Sequence, residues 1–309
     1  MFISVFVRPM SSTTVTEGLD LANSLEAAGA ASVCFLDPHD GEDRFLTFES
    51  TTMAGAVAAR TDTIGVVAEN SSLFGFPYHS ARRLATIDHM SRGRSGWLMR
   101  TAPSSSESGA YEWRSAAGRG EELHRSTEYA EIALELWNSW EDGAQQPDKQ
   151  SGAFKDDSRI RPIDYRSTSF RVAGPLDVPP SPQGRPVLFA EVSSKDEAVY
   201  LSRYVDVAIV IAEDDAAVTE LALHVSGEDS TTEIVVAAHL SPDRRTLCAE
   251  DAASLVGQHA FGGVALYMSP TEAAAAVEMI GATGTIAPGA TLAATLGIAE
   301  KFVHGGNAA

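Results

Sequence analysis

The sequence predicts an α/β fold, a (β/α)₈ TIM barrel with an insertion before its fifth strand, and three observations carry that prediction. Eight short apolar runs recur along the 309 residues, each of strand length. Amphipathic stretches of helical period separate most of them, the alternation that builds a parallel sheet wrapped by helices. No G-x-G-x-x-G follows any of the runs, which argues against a dinucleotide-binding doubly wound sheet.

The elements follow in order. F-I-S-V-F-V, Phe2–Val7, reads as the first strand, and Thr16–Ala28 as the first helix. The apolar run Ser32–Leu36 is the second strand, followed by a helix over Thr51–Arg60. Thr63–Ala68 and Ser95–Met99 are the third and fourth strands, separated by a helix over Pro77–Met90 that opens on a proline. A long helix is predicted over Glu121–Trp140. Val187–Ala190, Val205–Ile211, Ile234–Ala238 and Val264–Tyr267 complete the eight strands, with helices over Lys195–Tyr204, Ala216–His224 and Thr271–Gly281. The last helix opens on Ser269-Pro270, an N-cap followed by proline at the first helical position.

Two segments break the alternation. Pro103 to Gly120 is Ser/Gly-rich and follows the fourth strand, which places it over the mouth of the barrel as a loop carrying Tyr111 and Trp113. Residues 142–185 are polar and proline-rich, and Y-R-S-T-S-F-R-V, from Tyr165 to Val172, alternates like a small hairpin. This stretch is read as an insertion within a single domain spanning 1–309.

Composition narrows the function classes. With 44% hydrophobic and 21% charged residues, the chain is long enough for one large α/β barrel. A formal charge of −19 excludes nucleic acid and anionic membrane surfaces as partners, leaving small molecules and proteins. No apolar run approaches the ~20 residues of a membrane span, and Arg8 ends the first apolar run too early for a signal peptide. A cytoplasmic location is therefore expected, with Cys34 and Cys248 as buried thiols. No metal site is expected either, because the spacing of Asp37, His39 and Asp40 fits no standard one. Serine-nucleophile elbows, H-E-x-x-H and phosphate-binding loops are absent.

Longer strings carry more information. From Phe48 the chain reads F-E-S-T-T-M-A-G-A-V-A-A-R-T-D-T-I-G-V-V-A-E-N-S-S, then F-P-Y-H-S-A-R-R-L-A-T-I-D-H-M-S-R-G-R-S-G-W-L-M-R-T, ending at Thr101. W-N-S-W-E-D-G-A follows from Trp137, and I-R-P-I-D-Y-R-S-T-S-F-R-V-A-G-P-L-D-V-P and S-P-Q-G-R-P-V-L lie further on. In these strings the chain resembles the bacterial luciferase-like flavin-dependent monooxygenases, in the branch with nitrilotriacetate, dibenzothiophene-sulfone and pristinamycin monooxygenases. The resemblance fades past Arg203. It implies a barrel that takes reduced FMN from a separate flavin reductase and oxygenates a small organic substrate, in a family that commonly forms homodimers. The helix over Pro77–Met90 carries Tyr78, Ala81, Leu84, Ala85, Ile87 and Met90, an apolar set broad enough for the barrel and a second subunit.

Carried over position by position, the resemblance implies cofactor contacts at Asp37, Asn70, Ser71, Thr101 and Ser194 and a substrate-side role for His79, while the loop after the fourth strand gives Tyr111 and Trp113 as lid residues. No catalytic residue follows from it. Departures from the family pattern fall on one stretch, where Ala190-Glu191-Val192-Ser193-Ser194 replaces Q-A-G-x-S and keeps only the final serine, and on three single positions. Leu98 stands in place of an asparagine and Leu123 in place of a tyrosine expected at the phosphate. Glu197 stands where a glycine lets the backbone approach the phosphate. Leucine offers no hydrogen bond, and a carboxylate repels a phosphate the more strongly as the surroundings dry out.

Bland roles are open beside these. His79 serves either to pack its helix or to face the ligand, and Arg82 and Arg83 are expected to pair with Asp88 or Glu49. Arg92 and Arg94 flank Gly93 in a turn and are expected in solvent. Two functions follow from the balance of kept and lost positions. One is an FMN-dependent monooxygenase. The other is a degenerate, non-catalytic barrel that binds flavin poorly and acts as a partner subunit or small-molecule binder.

Overall fold

The computed structural model describes residues 2–8, 13–37, 48–111, 118–147, 149–150, 152–212, 215–226, 234–238, 262–277, 286–287 and 289–298. Eight parallel strands close into a barrel: β1 (Phe2–Val7), β2 (Ser32–Phe35), β3 (Gly65–Ser71), β4 (Ser95–Arg100), β7 (Val187–Val192), β8 (Val207–Ile211), β9 (Ile234–Ala238) and β10 (Gly263–Met268). Ring closure is made by β1, which pairs with β2 on one side and β10 on the other, Phe2 opposite Gly263 and Ser4 opposite Ser32. The remaining two strands, β5 (Tyr165–Arg166) and β6 (Arg171–Val172), form an antiparallel hairpin outside the ring.

Around the ring lie α1 (Val15–Ala27), α2 (Ser50–Ala58), α3 (Pro77–Met90), α4 (Ser105–Ala110), α5 (Arg119–Trp137), α6 (Lys195–Leu201), α7 (Asp215–Val225), α8 (Pro270–Ala275) and α9 (Leu292–Thr295). Strand parity divides the core into two shells. Val66, Ala68, Trp97 and Met99 face outward into the layer between sheet and helices. Val67, Leu98, Phe189 and Ile209 face inward and fill the barrel.

Helix α9 plugs the end of the barrel where the strands begin. Leu292 N donates to Gly93 O at 2.9 Å, and Ala293 N donates to Gln183 Oε1 at 3.2 Å. Gln183 Nε2 in turn donates to Asp88 Oδ1 and Ser95 O, both at 2.7 Å. The plug needs Gly65, where a Cβ would sit 2.5 Å from Leu292 Cδ1 and 2.8 Å from Ala31 O.

Element boundaries depart from the sequence reading in instructive places. Strands β3 and β4 run on past Ala68 and Met99 to include Glu69 and Arg100, because the two charges face each other inside the barrel with Arg100 Nε 3.3 Å from Glu69 Oε1. The stretch expected as a loop after β4 contains a helix, α4, nucleated by a capping box in which Ser104 Oγ accepts from Glu107 N and Glu107 accepts from Ser104 N. Helix α5 stops at Trp137, and Trp140 instead donates its Nε1 to Leu176 O at 2.8 Å.

Within 142–185 the hairpin stands as expected, and two of the segment's buried apolar residues, Phe170 and Leu176, join the barrel's outer core. Phe170 packs edge-on against Tyr129 of α5, with Arg125 lying 4.3 Å over its ring.

Two expectations about arginine are corrected. Arg83 lies 3.9 Å from Glu49 as expected, but Arg82 pairs with Asp177 at 3.0 Å, since Asp88 is taken by Ser95 N and Gln183. Arg94 is 3% exposed, not solvated, and its guanidinium donates to Ile64 O and, at 2.7 Å, to Thr61 O, stitching the carbonyls between α2 and β3. Arg92 is exposed, with φ 59.

Candidate functional site

Parallel barrels present side chains for chemistry at the ends where their strands finish. Here the inward parity that places Val67 and Leu98 in the core places Glu69 and Arg100 one step further along, at the mouth. A cavity of about 360 Å³ opens there, floored by Leu98 and Ile211 and walled by Glu69, Arg100, Thr101, Arg119, Glu191 and Glu197. This is the size of a small-ligand site. A second cavity of about 620 Å³ lies beside it between β3, α3 and α4, and Arg100 lines both.

Arg100 and Arg119, the guanidiniums that line the first cavity among the described residues, are each shared by two carboxylates. Arg100 pairs with Glu69 and holds Glu107 through two bonds, one of them Nη2 to Oε1 at 2.6 Å. Burial alone would lower the Arg100 pKa, but Glu69 and Glu107 outweigh it and the net direction is upward. Arg119 donates to Thr101 O, to Thr101 Oγ1 at 2.8 Å and to Glu197 Oε1 at 2.5 Å, and lies 3.3 Å from Glu122. Glu197 also accepts from both the N–H and the Oγ of Ser193 at 2.8 Å. Although burial pushes its pKa up, these donors hold Glu197 below the usual carboxylate range.

Two further groups are pushed toward their neutral forms. Burial and then the charge of Glu69 raise Asp37 to about 7, so this carboxyl exchanges its proton near neutrality. Its Oδ1 accepts from Ser50 N at 2.8 Å, and its own N–H donates to Glu69 Oε2 at 2.6 Å. Tyr267 stacks on Phe6 with centroids 4.9 Å apart and donates its hydroxyl to Glu191 Oε1 at 2.5 Å. Burial first, and Glu191 second, drive its pKa well up, which keeps the phenol protonated as a fixed donor. Burial likewise keeps Cys34 a thiol.

Of the residues singled out from sequence, Asp37, Asn70, Ser71, His79 and Tyr111 come together around the second cavity. Asn70 Oδ1 accepts from Ser80 Oγ at 2.8 Å, and Ser71 Oγ accepts from Leu73 N at 3.2 Å. His79 is exposed, edge-on to Phe76, and Tyr111 is 62% exposed with its ring stacked 4.5 Å from Phe74. Thr101 lines the first cavity, already bonded to Arg119. Ser194 N-caps α6, its Oγ accepting from Glu197 N at 3.3 Å, beside the cavity wall. Leu123 is fully buried in the outer core and lines neither of these two cavities. Trp113, His39, Asp40 and Cys248 lie outside the described residues. Among the described residues no group of three or more His, Cys, Asp or Glu could hold a metal ion, and no helix is long and apolar enough to cross a membrane.

Sequence reasoning missed Glu69, Arg100, Glu107, Arg119 and Tyr267, and marked Glu191 only as part of a departure from the family pattern. For Glu69 and Arg100 a signal existed: period-two counting from Val67 and Leu98 puts both inside. Arg119 reaches the mouth from the start of α5, and no local pattern announces it.

The family model for the luciferase-like monooxygenases matches residues 1–293, well past the point where the recognisable strings fade. N-acetyl-S-(2-succino)cysteine monooxygenase of Bacillus subtilis is 38% identical over 151 residues, 48% of this chain and 34% of that protein. Nitrilotriacetate monooxygenase component A of Aminobacter aminovorans is 34% identical over 146 residues, 47% of this chain and 32% of that one. The matched stretch thus spans about a third of the length of these curated relatives. The crystal structure of a long-chain alkane monooxygenase superposes with a TM-score of 0.81 over 96% of this chain and 95% of its own, at 16% identity, a likeness of fold. With its closed barrel and a family match over nearly its whole length, the chain belongs to the luciferase-like monooxygenase family.

Proposed function

We propose that this chain is a flavin-dependent monooxygenase that oxygenates a small organic substrate at the barrel mouth, with reduced flavin supplied by a separate reductase. The observation that carries the reading is the 360 Å³ cavity at the strand ends of a luciferase-like barrel, apolar beneath and polar at its rim. Bound reduced flavin would supply the electrons that activate O₂. A flat ring system suits the apolar floor at Leu98 and Ile211, but the phosphate of FMN does not suit the rim, whose cations are already committed to carboxylates.

What the chain's own residues do is simpler to state. Leu98, Ile211 and Phe6 keep water from the floor of the mouth. Asp37 holds or releases a proton at about pH 7, and Tyr267 offers a fixed hydroxyl donor to Glu191. The Phe74–Tyr111 stack edges the second cavity, which suits the entry of an organic substrate.

Incubation with a flavin reductase, a nicotinamide reductant, isotopically labelled O₂ and a panel of thioethers, sulfones and tertiary amines tests this reading. Incorporation of one labelled oxygen atom into a panel member is the expected result. A second reading, a non-catalytic flavin-poor barrel, is favoured by the apolar Leu98 and the closed Glu197. It gains if reduced flavin neither binds nor is protected from O₂ by the protein.

The assembly we propose is a single-domain, cytoplasmic homodimer. Ala81, Leu84, Ala85 and Ile87 of α3 are buried within the protomer, so Met90, 47% exposed, and Tyr78 remain for the contact. Light scattering at micromolar concentration is expected to give twice the chain mass, and a monomer mass would rule the contact out.

A further inference from the structure

Among the described residues, the cations that line the mouth cavity are Arg100 and Arg119, the side chains that would pair most strongly with a phosphate bound there. Both are spent. Arg100 sits between Glu69 and Glu107, and Arg119 between Glu122 and Glu197, so each cluster already carries more negative than positive charge. Two donors at the β7 end are taken as well, since the Ser193 N–H and hydroxyl both point at Glu197 Oε2 at 2.8 Å. Glu197 is 8% exposed, held by three hydrogen bonds from Ser193 and Arg119. Its carboxylate occupies the position in the donor set that an external anion would need.

From this arrangement we infer that the mouth selects an uncharged flavin, riboflavin in place of its phosphate ester, with Glu197 as the residue that sets the preference. The inference rests on the flavin reading above and deepens it. The same charge pattern extends to the substrate: a neutral or cationic molecule enters a rim where Glu69, Glu191 and Glu197 meet two neutralised guanidiniums, whereas a polycarboxylate is repelled.

The test is an anaerobic equilibrium titration of the wild-type protein with riboflavin and with FMN, each in oxidised and dithionite-reduced form, followed by fluorescence or absorbance. FMN is expected to bind at least about 5-fold more weakly than riboflavin, the size of one like-charge contact at a wet rim. The gap is expected to narrow as salt rises. In Glu197→Gln, which keeps the side-chain shape and removes one of the two carboxylates that share Arg119, FMN is expected to draw level or overtake while riboflavin is unchanged.

Equal or tighter binding of FMN by the wild type overturns the inference and leaves the flavin reading standing. Failure of both ligands to bind overturns the flavin reading and the inference with it. The wild-type comparison decides even if the variant does not fold.

Discussion

A carboxyl that titrates near neutrality inside a barrel mouth makes stability and chemistry depend on the same proton. Asp37 is raised to about 7, while an unfolded aspartate titrates near 3.9. Between those values the native state holds a proton that the unfolded state has lost. Stability therefore falls as pH rises from about 4 to about 7 and is level above. Asp37→Asn keeps the acceptor for Ser50 N and removes the titration. The variant is expected to melt higher than wild type at pH 8, by on the order of 2–4 kcal/mol, with the gain shrinking toward pH 4. Thermal unfolding across that range checks it, and a gain independent of pH would contradict the assignment. The same residue scale holds the departures at Leu98 and Glu197. Leu98→Asn is expected to cost about 1–3 kcal/mol, because an amide replaces a buried apolar side chain. Combined with Glu197→Gly it is expected to tighten FMN binding by roughly 5- to 150-fold, and no gain would mean that these positions do not face the cofactor.

At the scale of elements, what was legible in the sequence and what was not divide along a physical line. Strands and helices whose cores are apolar announced themselves: β1 and α3 lie where their patterns put them, and α8 starts at its proline as expected but ends at Ala275, short of Gly281. Where a charge lies inside the barrel the pattern misleads, and β3 and β4 are longer than they read because Glu69 and Arg100 neutralise one another. Helix α4 is short and polar, so its only sequence signal was Ser104 with Glu107, a capping box hidden in a serine run. The buried Arg94 had no signal at all, since its partners are backbone carbonyls brought in by the turn after α2. Arg94→Ala strands those carbonyls and is expected to destabilise by about 2–4 kcal/mol. Gly65→Ala drives a methyl group into Leu292 and Ala31 O and is expected to cost about 1–3 kcal/mol by lifting the α9 plug. Denaturant melts read both, and an unchanged midpoint for Gly65→Ala would show that α9 does not seat against β3.

The whole molecule is a luciferase-like barrel with an apolar interior and a mouth crowded with carboxylates, on a chain of formal charge −19. Its fold was legible because eight runs and long family strings point the same way. Its site was legible only in part, because the residues that define it come from β3, β4, α5, β7 and α6 and meet only on closure. Asp37 and Asn70 were found through resemblance and Tyr111 through its place on the loop after β4, while Arg119 became visible in the structure. The central claim is that this mouth is the flavin site. A crystal of the protein soaked with riboflavin tests it directly. The account predicts isoalloxazine density over Leu98 and Ile211, within reach of Thr101, with the Arg119–Glu197 pair intact. Density at any other surface, or none at saturating ligand, would contradict it.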